Sequence, residues 1–167
     1  MLYLLDANIL ITAKNLYYEF GRVDPYWEWL AYQAEEGNAK LPIEIYEEVT
    51  LGKDDLAVWA KQHKEALILD EDVDVHLVQR VTVEGYAPDL NDIEIQTVGR
   101  DPFLIAYALA DRKNRMVVTG EVRSNKQRQN RSIPSVCDDF GVKSCDQWQF
   151  GRDLDFRTDW RRPPPLA

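Results

Sequence analysis

The chain has 167 residues, 45% of them apolar and 29% charged, the composition of one folded domain rather than of a disordered, fibrous or repeat protein. Twenty Lys and Arg against 29 Asp and Glu leave a net charge of −9, which excludes a protein that coats nucleic acid over its whole surface. Two Cys and two His are too few for a disulfide framework, a zinc ribbon or a zinc finger, and no run approaches the roughly 18 apolar residues of a membrane span. With no export-type segment at the N-terminus, the expectation is a reduced, cytoplasmic protein with no membrane attachment.

Residues 2–5 (LYLL) are an apolar run stopped by Asp6; the length and the polar stop favour a buried strand. A helix is predicted over 25–36, with Pro25 in its first turn, Trp27, Leu30, Ala31 and Ala34 on one stripe, and Gly37-Asn38 as its stop. A short strand at 39–41 precedes a helix over 43–50 (IEIYEEVT) that carries Glu44, Glu47 and Glu48. Further helices are predicted over 54–64, on Leu56, Trp59 and Ala60, and over 72–83 despite its β-branched residues. Punctuation by Gly, Pro and Asn makes 85–100 a loop. The clearest element is the helix over 101–115, with Asp101 as N-cap and Pro102 in the first helical position. Its apolar residues run almost all the way round, so it packs against a sheet. A strand at 116–119, a short helix at 134–140 and a last strand at 142–145 follow, and 151–167, with three consecutive prolines, reads as a loose tail. Apolar runs alternating with helices predict one α/β domain over 1–150 around a mainly parallel sheet.

In such sheets ligands bind at the carboxyl ends of the strands. Asp6 follows the first strand directly, Glu121 stands two residues beyond the strand that ends at Thr119, Asp101 opens a helix, and the 43–50 helix supplies its three glutamates. Convergence of these acids would make a pocket of hard oxygen donors suited to Mg²⁺ or Mn²⁺ rather than zinc. Each residue also has a plainer reading: Asp6 with Asn8 and Asp101 as helix caps, and the glutamates as a solvated helix face. Residues 120–132 hold Arg123, Lys126, Arg128 and Arg131 against Glu121 alone, either a local basic patch for a nucleic-acid backbone or a solvated loop.

Four segments resemble the PIN domain, most closely that of the VapC-type toxins and a related prokaryotic subfamily. YLLDANILI at 3–11 is similar to the opening strand with its Asp and following Asn, and points to Asp6 and Asn8. IEIYEEVT points to Glu48 before Val49, with Glu47 one residue out of register, and DPFLIAYALA points to Asp101. MVVTGE points to Glu121, with Thr119 in support, where most PIN domains carry Asp. The segment at 133–145 resembles the subfamily's closing stretch, with Asp138 or Asp139 as a further acid or a surface turn.

The resemblance implies a Rossmann-like three-layer α/β/α sandwich and a metal-dependent endoribonuclease. In it Asp6, Glu48, Asp101 and Glu121 would hold Mg²⁺ or Mn²⁺, and Asn8, Thr119 and Glu47 would support them. Arg123, Lys126, Arg128 and Arg131 would bind RNA, and the products would carry 5′-phosphate and 3′-hydroxyl ends. It further implies the toxin of a type II toxin–antitoxin pair, with a cognate antitoxin as partner and a homodimeric form. The competing readings are a catalytically degenerate PIN module that only binds a protein or RNA partner and a HAD-type phosphatase. The latter requires a second Asp where Asn8 stands, and a receiver domain would require paired acids after the first strand.

Overall fold

A computed structural model describes residues 1–162; prolines 163–165 of the expected tail lie outside the described residues. Four parallel strands, β1 (Leu2–Leu5), β2 (Ala39–Lys40), β3 (Arg115–Val118) and β4 (Lys143–Cys145), form one sheet in the order β2-β1-β3-β4. In register, Leu4 lies beside Lys40 on one side and Val117 on the other, and Val118 lies beside Cys145. Residues 67–69 extend the β2 edge through a parallel bridge between Leu41 and Ile68. Strands buried on both faces read as continuous apolar runs, which is why LYLL and RMVV lack alternation.

Helices cover both faces, the arrangement of a three-layer α/β/α sandwich. On one face Tyr3 meets Phe150 of α10 (Gln147–Asp153) edge-on at 5.2 Å, and Phe150 in turn meets Trp29 of α2 (Asp24–Glu35) at 5.3 Å. On the other, α8 (Asp101–Ala110) crosses β1 and β3 and α9 (Ile133–Asp139) packs on β4. Pro102 and Leu104 through Ala108 of α8 are all buried, as its all-round apolar sequence requires.

The helices over 25–36, 43–50, 54–64 and 72–83 take form as α2, α3 (Ile43–Thr50), α4 (Asp55–Gln62) with the short α5 (Lys64–Leu67), and α6 (Val75–Arg80). Three local expectations are corrected. Residues 7–17, where only the plainer reading of Asp6 as a helix cap implied an element, form α1 (Ala7–Thr12) and a π-helical turn (Ala13–Tyr17), with Asp6 capping α1 and Ala7, Ile9, Leu10 and Ala13 buried. The predicted loop at 85–100 is helical at both ends: a π-helical turn (Val81–Tyr86) closes α6, and α7 (Asp92–Val98) starts in a capping box between Asn91 and Glu94. The chain does not loosen at 151: α10 runs to Asp153, and Leu154, Phe156 and Trp160 pack on the core. Phe156 is held by Tyr18, Tyr26 and Trp29, so aromatic packing orders the segment that composition marks as tail.

Gly85 marks a close approach between the turn after α6 and α9. A Cβ there would stand 2.6 Å from Val136 Cγ1 and 3.1 Å from Phe140. Gly85→Ala is therefore expected to lower stability by about 1–3 kcal/mol, the usual cost of overpacking, measured by thermal or urea unfolding.

Candidate functional site

The topology puts a switch point between β1 and β3: from β1 the chain crosses to β2 on one side, then returns past β1 to β3 on the other. Ligands of open parallel sheets bind outside the carboxyl ends of the strands at such a point. The ladder continues one residue beyond the strands there, with Asp6 N donating to the Val118 carbonyl at 3.0 Å and Thr119 N to the Cys145 carbonyl at 3.0 Å. Asp6 and Thr119 are consequently fixed side by side at the ends of the two central strands.

The Asp6 carboxylate is only 4% exposed. Thr119 Oγ1 donates to its Oδ2 at 3.0 Å and Asn8 N donates to its Oδ1 at 3.4 Å, so Asp6 also caps α1. Thr119 Oγ1 accepts from Glu121 N at 3.2 Å, which ties the turn after β3 to the same pair. Burial pushes the Asp6 pKa up to about 6, opposed by the hydrogen bonds from Thr119 and Asn8 and assisted by the charges of Glu121 and Glu48.

Asp101 corrects a sequence expectation. It is not the N-cap of α8; Arg100 occupies that place, and the chain enters it through Gly99, whose φ of 59° suits only glycine well. The Asp101 side chain turns inward instead, where the Tyr86 hydroxyl donates to Oδ2 at 3.4 Å. Burial, with the charges of Asp6, Glu121 and Glu48, pushes its pKa up to about 8, against the Tyr86 bond. Asp6, Glu48, Asp101 and Glu121, from four separate elements, thus lie within electrostatic reach of one another.

The structure also separates the adjacent glutamates of α3. Glu48 is half-buried and raises the pKa of both Asp6 and Asp101. Glu47 is exposed and pairs with Arg100 at 3.2 Å, while Glu44 lies beside Tyr107. Glu121 is exposed, and its Oε2 accepts from Ile133 N at 2.7 Å. Asn8 keeps its side chain at the mouth of the groove beside Thr119.

No described Lys, Arg or His forms an ion pair with Asp6, Glu48, Asp101 or Glu121. Among the described residues no three His, Cys, Asp or Glu stand close enough together to ligate one ion. The donor chemistry, all hard carboxylate oxygen, fits Mg²⁺ or Mn²⁺.

Three of the four cations expected to face RNA are engaged within the chain. Arg123 donates a bidentate pair of hydrogen bonds to Asp138 at 2.6 and 2.9 Å, Arg128 binds Glu94 at 2.8 Å and Asp89 at 2.7 Å, and Arg131 binds Asp139 at 2.7 Å. Asp138 and Asp139 are thereby surface ion-pair partners rather than members of the cluster. Lys126 is exposed and unpaired among the described residues, and it lines a groove of about 510 Å³ with Asp101 and Glu121. A second groove, of about 680 Å³, runs from Glu121 and Thr119 in the other direction. Sequence reasoning missed Tyr86, because nothing local ties an aromatic residue in a Gly/Pro-punctuated stretch to an acid 15 residues on.

A family model described as "Domain of unknown function (DUF4411)" matches residues 3–158. The chain belongs to the DUF4411 family. The match reaches past α10, in line with the packing of Phe156 on the core. No curated protein and no solved structure matches the chain.

The two raised carboxyls set a pH dependence. Asp6 and Asp101 titrate near 6 and 8 when folded against 3.8 as the ordinary value, so between pH 4 and 8 the folded state binds more protons than the unfolded one. Stability without metal should fall as pH rises through that window. Asp101→Asn should flatten the fall and, at pH 8 in EDTA, exceed wild type by roughly 1 kcal/mol or more, since each pKa unit corresponds to about 1.4 kcal/mol. Urea unfolding of both proteins at pH 5 and pH 8 reads this directly, and parallel curves would remove Asp101 from the cluster.

Proposed function

We propose that this chain is a metal-dependent endoribonuclease of the PIN type, the toxin of a type II toxin–antitoxin pair acting on RNA in the cytoplasm. The observation that carries the reading is the placement, around the switch point of a parallel sheet, of four carboxylates that lie within electrostatic reach of one another and have no ion-pair partner among the described residues. A cluster of this kind costs stability and persists where a ligand supplies the positive charge. Asp6, Glu48 and Asp101 would hold Mg²⁺ or Mn²⁺, with Glu121 binding directly or through water. When bound, the ion supplies an acidic water and neutralises charge on a phosphodiester.

The chain's own residues prepare that site. Thr119 and the Asn8 amide fix the Asp6 rotamer at a buried position, and Tyr86 fixes Asp101, which lines a groove with Glu121. Lys126 gives the phosphate backbone a cation beside Asp101 and Glu121. A cognate antitoxin would act by filling one of the grooves that meet at Glu121, and a homodimer is the expected form. One observation favours the second reading, a PIN module that binds partners without cleaving: Glu121 Oε2 is already engaged by Ile133 N.

Cleavage of RNA in Mn²⁺ should vanish in EDTA. Asp6→Asn should lower its rate at least about 100-fold, since the charge stabilisation is worth several kcal/mol and each 1.4 kcal/mol is tenfold. In a heterologous host, wild type should slow growth and Asp6→Asn at equal soluble expression should not; equal cleavage by the two proteins would sink the nuclease reading. Mn²⁺ at about 100 times its Kd should stabilise wild type by about 2.7 kcal/mol and Asp101→Asn much less, read by thermal melts.

Lys126→Gln should reduce the slope of log affinity for RNA against log salt by about one unit. Arg128→Gln should leave that slope unchanged and speed proteolysis of the 120–132 loop instead, because its guanidinium is spent on Glu94 and Asp89.

A further inference from the structure

The groove that leaves the acid cluster past Thr119 and Glu121 ends at two aromatic side chains from opposite ends of the chain. Tyr17, last residue of the π turn after α1, and Trp148 of α10 line it together, with ring centroids 5.0 Å apart and planes at 72°. Tyr17 is 43% and Trp148 44% exposed. In an edge-to-face contact the edge of one ring covers part of one face of the other, and the remaining exposure of both rings leaves aromatic surface presented to the groove. Packing does not account for the pair, because α10 anchors itself through Phe150, which is 1% exposed and touches Tyr3 and Trp29.

The walls between the aromatic pair and the acids carry Asn8 and Gln147, each able to donate and accept hydrogen bonds. Ser144, the middle residue of β4, lines the same groove with a buried hydroxyl that has no hydrogen-bond partner among the described residues. The groove, at about 680 Å³, lies within the range of roughly 300–1,000 Å³ that small ligands occupy.

Charge narrows the ligand further. The chain carries −9 overall, and three of the four arginines and lysines of its basic loop are tied to its own carboxylates. Phosphate contacts alone therefore give little hold on a polyanion, and the affinity has to come from contacts that carry no charge. Stacking of bases on aromatic faces is such a contact and is tolerant of sequence. We propose that Tyr17 and Trp148 form a stacking subsite for an unpaired nucleobase of an RNA strand whose adjoining phosphate lies at the acid cluster. The subsite rests on the nuclease reading for the identity of the strand, and it requires the RNA to be single-stranded where it enters the groove.

The test is a binding titration in EDTA with a short single-stranded RNA carrying 2-aminopurine, run beside a cleavage assay in Mn²⁺. Binding to the wild-type chain should quench the 2-aminopurine by stacking. Trp148→Ala should weaken binding about 5- to 150-fold, the range measured for loss of one base–aromatic stack, Tyr17→Ala should weaken it less, and Trp148→Phe should restore most of it. An abasic site in place of the stacked base should abolish the difference between wild type and Trp148→Ala. Both side chains are substantially exposed, and thermal melts establish that the variants fold. Unchanged binding by both alanine variants, or equal affinity for a duplex of the same sequence, overturns the subsite. Loss of quenching with Mn²⁺-dependent cleavage intact removes the subsite and leaves the nuclease; quenching and Trp148 dependence without cleavage do the reverse.

Discussion

A carboxylate at the end of the first strand, almost out of contact with water, constrains most of the structure around it. Ionised Asp6 needs donors, and it obtains them from Thr119 at the end of the neighbouring strand and from the first turn of α1. Those two bonds demand that β1 and β3 run parallel and in register, and that the chain turn into a helix at once. Both conditions hold, with Leu5 beside Val118 and α1 beginning at Ala7. The same bonds do not remove the cost of burial, since the Asp6 pKa stays near 6. The end of the sheet is thus preorganised around a charge that the fold only partly compensates, which is the condition under which an added cation gains most.

The surrounding acids extend that condition. Tyr86 donates to Asp101, and Tyr86 is where it is because Gly85 lets the turn after α6 come close against Val136 and Phe140. The 120–132 loop is pinned over this region by its arginines. Arg131 reaches Asp139 and the Gly85 carbonyl, and Arg128, at a φ of 54°, is held by Glu94 of the α7 capping box. Exposed pairs of this sort contribute about 0–1 kcal/mol each, so their effect is to set the path of the loop rather than the stability of the domain. Positive charge in the sequence is thereby converted into loop geometry, leaving Lys126 facing the groove among the described residues.

On the opposite face a web of aromatic side chains does the corresponding work for the C-terminal segment. Tyr3, Trp29 and Phe150 join β1, α2 and α10, and Tyr18, Tyr26 and Phe156 continue the web to the turn after α10. Edge-to-face and stacked contacts at 4.0–5.7 Å fix these elements to one another. The consequence at the site is positional: α10 is held so that Phe150 faces inward and Trp148 stands at the groove with Tyr17.

The sequence by itself determined the class of fold and the chemistry at the strand ends. Continuous apolar runs stopped by Asp6 and by Thr119 mark strands buried on both faces, the all-round apolar helix after Asp101 marks a layer over the sheet, and alternation of the two leaves a parallel sheet as the solution. The capping box of Asn91 and Glu94 and the α1 helix after Asp6 were also legible in local patterns, though Gly and Pro punctuation and the shortness of the segments masked them. What only the tertiary structure decided are relations between residues far apart in the chain. Glu48 rather than Glu47 joins Asp6 because the pitch of α3 turns one inward and leaves the other to Arg100. Asp101 faces Tyr86 instead of capping its helix, the loop arginines meet carboxylates from three other segments, and Phe156 finds the aromatic web. Side-chain periodicity reports which face of an element is buried, but the partner across that face is set by packing and by charge at long sequence separation, for which a single chain carries no local signal.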